Sequence, residues 1–112
     1  MALTTPFPRA ADAFGCLQQS DWIDALDAVT TAQSTAIPAG ARFVLMSATG
    51  TFYAKIGGSG VTAAVVTGTV ADGSASMCNP TFRQLGTTDT HISVAASSAV
   101  DVTFEYFMAP VR

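Results

Sequence analysis

Side chains that could act as acids, bases, nucleophiles or metal ligands are few in this chain and lie far apart. His91 is the single histidine, and Cys16 and Cys78 are the two cysteines. Structural zinc sites take about four cysteine or histidine ligands, and disulfide scaffolds need more cysteines than this. The spacing permits a Cys78–His91 pair, but nothing near Cys78 predicts the cationic surroundings that activate a thiol. We therefore predict free thiols, no metal, no cofactor and no enzymatic activity.

Two other patterns have the outline of a functional site. Asp21, Asp24 and Asp27 recur every three residues, but the D-x-D-x-D-G spacing of a calcium loop is absent. The spacing therefore favours a solvated acidic edge. The run Gly57-Gly58-Ser59-Gly60 lacks the lysine of a phosphate-binding loop and the spacing of a nucleophile elbow, so it predicts a turn.

Composition indicates one domain with an unusual surface. The chain has 112 residues, of which 49% are hydrophobic and 12% are charged. A domain of this length buries roughly 65% of its unfolded surface, enough for one core. Its charged fraction is about half the usual value, so threonine, serine and glycine must supply much of the polar surface. Such a surface is dehydrated at low cost, which favours assembly with other proteins.

Charge and hydropathy also exclude some partners. The net charge is −3, and five scattered basic residues give no patch for phosphate groups, so we predict no nucleic-acid partner. No apolar run reaches membrane-spanning length, and the first residues lack the basic start and apolar core of a signal peptide. These features predict a protein that is made in the cytoplasm and not exported by the general route, with no membrane partner.

The elements that must position these residues are short strands. Residues 99–107 alternate apolar and polar side chains without a break, the pattern of a half-buried strand. Residues 42–48, 51–56 and 61–67 are rich in β-branched and aromatic residues and are separated by glycine turns. We predict an all-β fold of six to eight antiparallel strands, a single β-sandwich or jelly roll covering residues 21–112.

The first 20 residues predict an extended N-terminal arm. Pro6 and Pro8 flank Phe7, Phe14 follows, and no helical or strand period is present. Aromatic residues in such an arm favour docking rather than exposure to water. The next segment is ambiguous, because Trp22, Leu26 and Val29 fit one face of a helix. For it we predict a helical turn at 21–25 that leads into a strand at 26–33.

Strands with two apolar faces predict contacts between subunits. Val44 and Met46 are apolar, as are Phe43 and Leu45 on the opposite face, and 61–66 has the same character. A lone sandwich would expose one of these faces, so we predict a homo-oligomer, most simply a homotrimer. The residues assigned to the interface are Pro6, Phe7, Pro8, Phe14, Trp22, Val44 and Met46.

Four segments resemble the small capsid decoration, or cement, proteins of tailed bacteriophages. They are Thr35-Ala36-Ile37-Pro38-Ala39-Gly40-Ala41-Arg42-Phe43-Val44, Tyr53-Ala54-Lys55-Ile56-Gly57, Val61-Thr62-Ala63 and Thr90-His91-Ile92-Ser93-Val94. With a closing strand they extend over residues 35–107. The resemblance consists of strand spacing and small-residue turns, without a reactive motif.

The resemblance implies a virion structural protein on the capsid surface. In that role it binds the major capsid protein and reinforces the shell by bridging capsomers as a homotrimer. A phage head-fibre or tail component has similar features. A carbohydrate- or receptor-binding β-module is the alternative from another class, and it would use Trp22, Tyr53 and Tyr106 as stacking platforms.

Overall fold

The computed structural model describes residues 20–108, and all regular structure in this range is β-strand. Residues 1–19 and 109–112 lie outside it. The predicted all-β fold is therefore confirmed for the described range. The eight strands are β1 (Trp22–Val29), β2 (Gln33–Ala36), β3 (Phe43–Ala48), β4 (Tyr53–Gly57), β5 (Met77–Cys78), β6 (Phe82–Gln84), β7 (His91–Ala95) and β8 (Val100–Phe107).

The strands form two four-stranded antiparallel sheets. Sheet A has the order β1-β8-β3-β6, and sheet B has the order β2-β7-β4-β5. The first strand pairs with the last, β2 with β7, β3 with β6 and β4 with β5. These nested pairs alternate between the sheets, so the chain resembles one long hairpin folded over onto itself.

The core lies between the two sheets and follows the period of two in each strand. In β8 the four alternate apolar side chains are buried, as the alternation at 99–107 predicts. The rings of Phe104 and Tyr106 stack at 6.3 Å between centroids. The fully enclosed members of this core include Val29, Val44, Ala54, Ile92, Val94, Val102, Phe104 and Tyr106.

The predicted helical turn at residues 21–25 is wrong, because this segment belongs to β1. Trp22 pairs with Tyr106 and Leu26 with Val102 in a continuous antiparallel ladder. A spacing of four residues places two side chains on one face of a strand as well as of a helix. Val29, seven residues from Trp22, returns to the same face because the register shifts between Leu26 and Val29, where Ala28 has φ of 50°.

The predicted strand at residues 61–67 is also wrong, because this segment forms part of a long loop between β4 and β5. The Val61 N–H donates to the Gly58 carbonyl oxygen within the loop, and the next two hydrogen bonds go to side-chain oxygens. Ala63 donates to Ser93 Oγ at 2.8 Å, and Ala64 donates to Ser76 Oγ at 3.1 Å. Ser93 lies on the outer face of sheet B, so the loop lies over that face.

Candidate functional site

The outer face of sheet A carries a cluster of aromatic side chains. Phe43 pairs with Phe107 across β3 and β8, and Leu45 pairs with Phe82 across β3 and β6. The rings of Phe43 and Phe82 stack at 5.6 Å with an angle of 11° between their planes. The Phe82 and Phe107 centroids are 6.1 Å apart. We call Phe43, Leu45, Phe82 and Phe107 the aromatic patch.

The aromatic patch is only partly open to water, because Phe43 and Leu45 are half-buried and Phe107 is 4% exposed. Phe82 is 40% exposed, although it contacts two other aromatic rings. Ile23 of β1 is 59% exposed on the same face, and Met108 after β8 is 50% exposed. Glu105 pairs with both Ile23 and Leu45, so one carboxylate lies within this apolar surface. Exposed apolar side chains on one face of a sheet are typical of contact surfaces.

The outer faces of the two sheets are covered differently. On sheet B, the loop between β4 and β5 buries Ser93 and Ala63 to 1% and 2% exposure. On sheet A, no segment within residues 20–108 lies over Phe82 in the same way, since the ring is 40% exposed. The loop therefore covers part of the outer face of sheet B through Ala63, whereas sheet A retains an apolar outer surface.

Two predicted interface residues are core residues instead. Val44 and Met46 are 0% and 2% exposed, because they point between the sheets opposite Tyr106 and Phe104. The outward side chains of β3 at this position are Phe43 and Leu45. Because both faces of β3 are apolar, its residues alone do not show which face points outward.

The other predicted interface residues have different outcomes. Trp22 is half-buried and packs against the core from the start of β1. Pro6, Phe7, Pro8 and Phe14 lie outside the described residues, and so does the predicted arm except for Ser20. Sequence reasoning missed Phe82 and Phe107. Phe82 lies in a strand of three residues after Pro80, too short to show a period of its own.

The side chains that could act as a nucleophile or a base lie far from each other. His91 accepts or donates one hydrogen bond, between Nδ1 and Thr90 Oγ1 at 2.9 Å. Cys78 is exposed on β5 and pairs with Tyr53, whereas His91 pairs with Gly57, four residues further along β4. Four residues of strand correspond to roughly 13 Å. The two side chains therefore do not form a nucleophile–base pair in this structure.

The three regularly spaced aspartates are also separated. Asp21 Oδ2 accepts a hydrogen bond from the backbone N–H of Met108 at 2.9 Å. Asp24 is half-buried on the inner face, where its charge contributes with burial to raise the pKa of Tyr106. Asp27 is exposed at the far end of β1. Within residues 20–108 no three cysteine, histidine or acidic side chains gather where they could hold a metal ion.

Asp27 instead forms a pair with Asp101. The hydrogen bond to Asp101 and repulsion from its charge raise the pKa of Asp27. The same hydrogen bond, and one from the Ala28 backbone N–H at 2.9 Å, lower the pKa of Asp101. This pair fastens the β-bulge of β1 to β8, which is a structural role.

A surface groove lies between the loop before β3 and the loop after β6. It has a volume of about 590 Å³ and is lined by residues that include Ile37, Arg42, Leu85 and Asp89. No aromatic side chain lines it. Sugar-binding grooves commonly use aromatic rings as stacking platforms, so this groove lacks the feature most typical of carbohydrate recognition.

Models of protein families, curated proteins and solved structures contain no match to this chain. Among the described residues, no helix is long and apolar enough to span a membrane.

Proposed function

We propose that this protein is a virion structural protein, a capsid decoration or cement protein that binds the major capsid protein as a homo-oligomer. The observation that carries the proposal is the aromatic patch on an outer sheet face, with Phe82 40% exposed. Only 12% of the residues are charged, so the surrounding surface also loses water at low cost. A surface of this kind is suited to permanent contact with other proteins.

The strand order supports a finer description of the fold, which we propose to be a jelly roll. In a jelly roll, eight strands form two sheets connected by Greek-key crossings. The nested pairs β1·β8, β2·β7, β3·β6 and β4·β5 give this arrangement, with alternate pairs in opposite sheets. Viral capsid proteins and lectins share this architecture, so the fold alone does not decide between the two functions.

The positions of the aromatic residues favour the structural role over a carbohydrate-binding module. Of the three rings that could serve as stacking platforms, Tyr106 is 0% exposed and Trp22 packs against the core. Trp22 and Tyr53 are both half-buried, and they lie on different sheets. Within residues 20–108 the one exposed aromatic ring is that of Phe82, and it lies against the rings of Phe43 and Phe107, which suits a dry protein contact.

The proposal is tested by measuring assembly and particle binding separately. Sedimentation velocity on the purified chain at tens of micromolar should show a homo-oligomer, with a trimer as the expected species. Cosedimentation should show binding to empty shells assembled from the major capsid protein encoded in the same genome. The variant Phe82→Ser keeps the core intact and should weaken one or both interactions. Glycan binding without shell binding would instead support the carbohydrate-binding alternative.

A further inference from the structure

We propose that the aromatic patch is the docking site for the N-terminal segment, residues 1–19, of a neighbouring copy of this chain. This inference rests on the proposed function, because it names the contact that would hold the homo-oligomer together. Within residues 20–108 no segment covers Phe82 on the outer face of sheet A, and residues 1–19 supply the kind of side chains that would cover it. These include Phe7 and Phe14, each in a stretch without a period of its own.

The described chain begins at the same end of sheet A as the patch. The N–H of Asp21 donates to the carbonyl oxygen of Tyr106 at 2.8 Å, and the N–H of Met108 donates to Asp21 Oδ2 at 2.9 Å. Phe43 lies at the same end of sheet A, because the N–H of its neighbour Arg42 donates to the carbonyl oxygen of Phe107 at 2.8 Å. The start of β1 and the patch are therefore neighbours.

The lengths fit such an arrangement. Sheet A has four strands, so its outer face is about 14 Å wide from β1 to β6. Nineteen extended residues span roughly 60 Å, several times that width. The segment is therefore long enough to lie across the whole width of sheet A on an adjacent copy.

The direction of β1 favours a neighbouring copy over the same chain. β1 is antiparallel to β8, so its N-terminal end points past the end of the sheet where β8 terminates. To cover the patch of its own subunit, the chain would have to reverse its direction. A copy that lies beyond this end of the sheet would be reached without a reversal, and exchange of this kind around a rotation axis closes a ring.

A mixed-crosslinking experiment tests this directly. One population keeps Cys16 as its sole cysteine through Cys78→Ser. A second, mass-tagged population carries Cys16→Ser, Cys78→Ser and Gln84→Cys. Gln84 is exposed and pairs with Phe43, so the new thiol lies beside the patch. After mixing, a short bifunctional thiol reagent should produce a crosslinked species containing one copy of each kind.

Two matched variants control the experiment. Ser34→Cys places an exposed thiol on the outer face of sheet B, opposite Ser93, and should crosslink at least tenfold less than Gln84→Cys. Phe82→Ser should weaken the association about tenfold or more, since it removes an aromatic side chain that docking would bury. A double-mutant cycle with Phe14→Ala should show that the two losses are not additive.

Three outcomes would overturn the inference. A chain carrying both Cys16 and Gln84→Cys that crosslinks only within itself would assign the patch to its own segment. Equal crosslinking at residues 84 and 34 in a stable oligomer would mean that another surface joins the copies. A monomer that binds capsid shells would refute the inference and leave the decoration role standing. Conversely, crosslinking at residue 84 without shell binding would support this contact and reject the decoration role.

Discussion

Ser93 and Ala63 join two parts of the protein that are far apart in the sequence. The backbone N–H of Ala63 donates a hydrogen bond to Ser93 Oγ at 2.8 Å, and both residues are buried. Ser93 is in the middle of β7, and Ala63 is in the long loop between β4 and β5. This bond holds the loop against sheet B, so the part of the outer face around Ser93 is covered by the chain itself.

Replacing Ser93 with alanine should loosen this loop. The change leaves the Ala63 N–H buried without an acceptor, which costs about 1–3 kcal/mol of unfolding free energy. Urea denaturation should show this loss, and hydrogen exchange should become faster at residues 61–66. Ser98→Ala, at an exposed position between β7 and β8, is the matched control. If both variants lost the same stability, the bond would not hold the loop.

Removal of the Tyr106 hydroxyl should leave the protein as stable as before, or more so. The hydroxyl is buried and has no hydrogen-bond partner within residues 20–108. Tyr106→Phe removes this unsatisfied group and keeps the ring stacked on Phe104, so we expect a change between zero and about 1 kcal/mol in favour of folding. Urea unfolding measures it, with Tyr53→Phe as the control. A loss above about 1 kcal/mol would show that the hydroxyl has a stabilising partner.

The same hydroxyl predicts a dependence of stability on alkaline pH. Burial, and then the charge of Asp24, raise the pKa of Tyr106 well above its ordinary value. The unfolded state therefore loses its proton first, and stability falls as the pH rises above about 10, the ordinary tyrosine value. Tyr106→Phe should reduce this alkaline loss, and Tyr53→Phe should not. Equal alkaline slopes for wild type and Tyr106→Phe would contradict the assignment.

The strands could largely be predicted from the sequence, whereas the exposed surface could not. The alternation at 99–107 is unambiguous because each polar residue separates two apolar ones, and the structure has β8 there. Residues 61–67 misled the prediction, since apolar side chains in a loop that lies on a sheet have the same composition as a strand. The patch depends on which face of β3 turns outward, and that is set by pairing with β8 rather than by β3 itself.

Neutralising Asp27 should stabilise the protein near neutral pH. Its pKa is raised by the hydrogen bond to Asp101 and by repulsion, so it favours folding when protonated. That contribution is present below the unfolded pKa and is lost as the pH rises through the folded pKa. The pH dependence of the Asp101 contribution to stability has the opposite sign. Its pKa is lowered in the folded state, so its contribution is lost as the pH falls.

Asp27→Asn removes the repulsion and keeps a donor for Asp101. We expect a higher melting temperature at pH 7 and a smaller gain as the pH falls through the acidic range. Glu105→Gln is the control, because it removes one negative charge elsewhere on the outer face of sheet A. If Glu105→Gln raised the melting temperature equally, the gain would come from net charge and not from the pair.

Deletion of residues 2–14 should separate folding from assembly. Every residue of the buried core cluster lies between Val29 and Tyr106, so the shortened chain should keep the circular dichroism spectrum of the full chain. It should lose the oligomer, because it lacks Phe7 and Phe14. The aromatic patch would then be exposed to water, and the binding of a hydrophobic dye should increase.

The control for this deletion is a full-length chain carrying Phe7→Ala and Phe14→Ala. It retains the length of the segment and lacks its aromatic anchors, so we expect the same loss of oligomer and the same gain in dye binding. Ordering the backbone on docking costs about 1–2 kcal/mol per residue, and burying each phenylalanine contributes roughly 1.5–3 kcal/mol. Several contacts are therefore needed together, and loss of both rings should suffice to release the segment. An oligomer that survives both changes would show that the segment does not hold the copies together. Direct contact between the outer faces of sheet A would then be the contact to test.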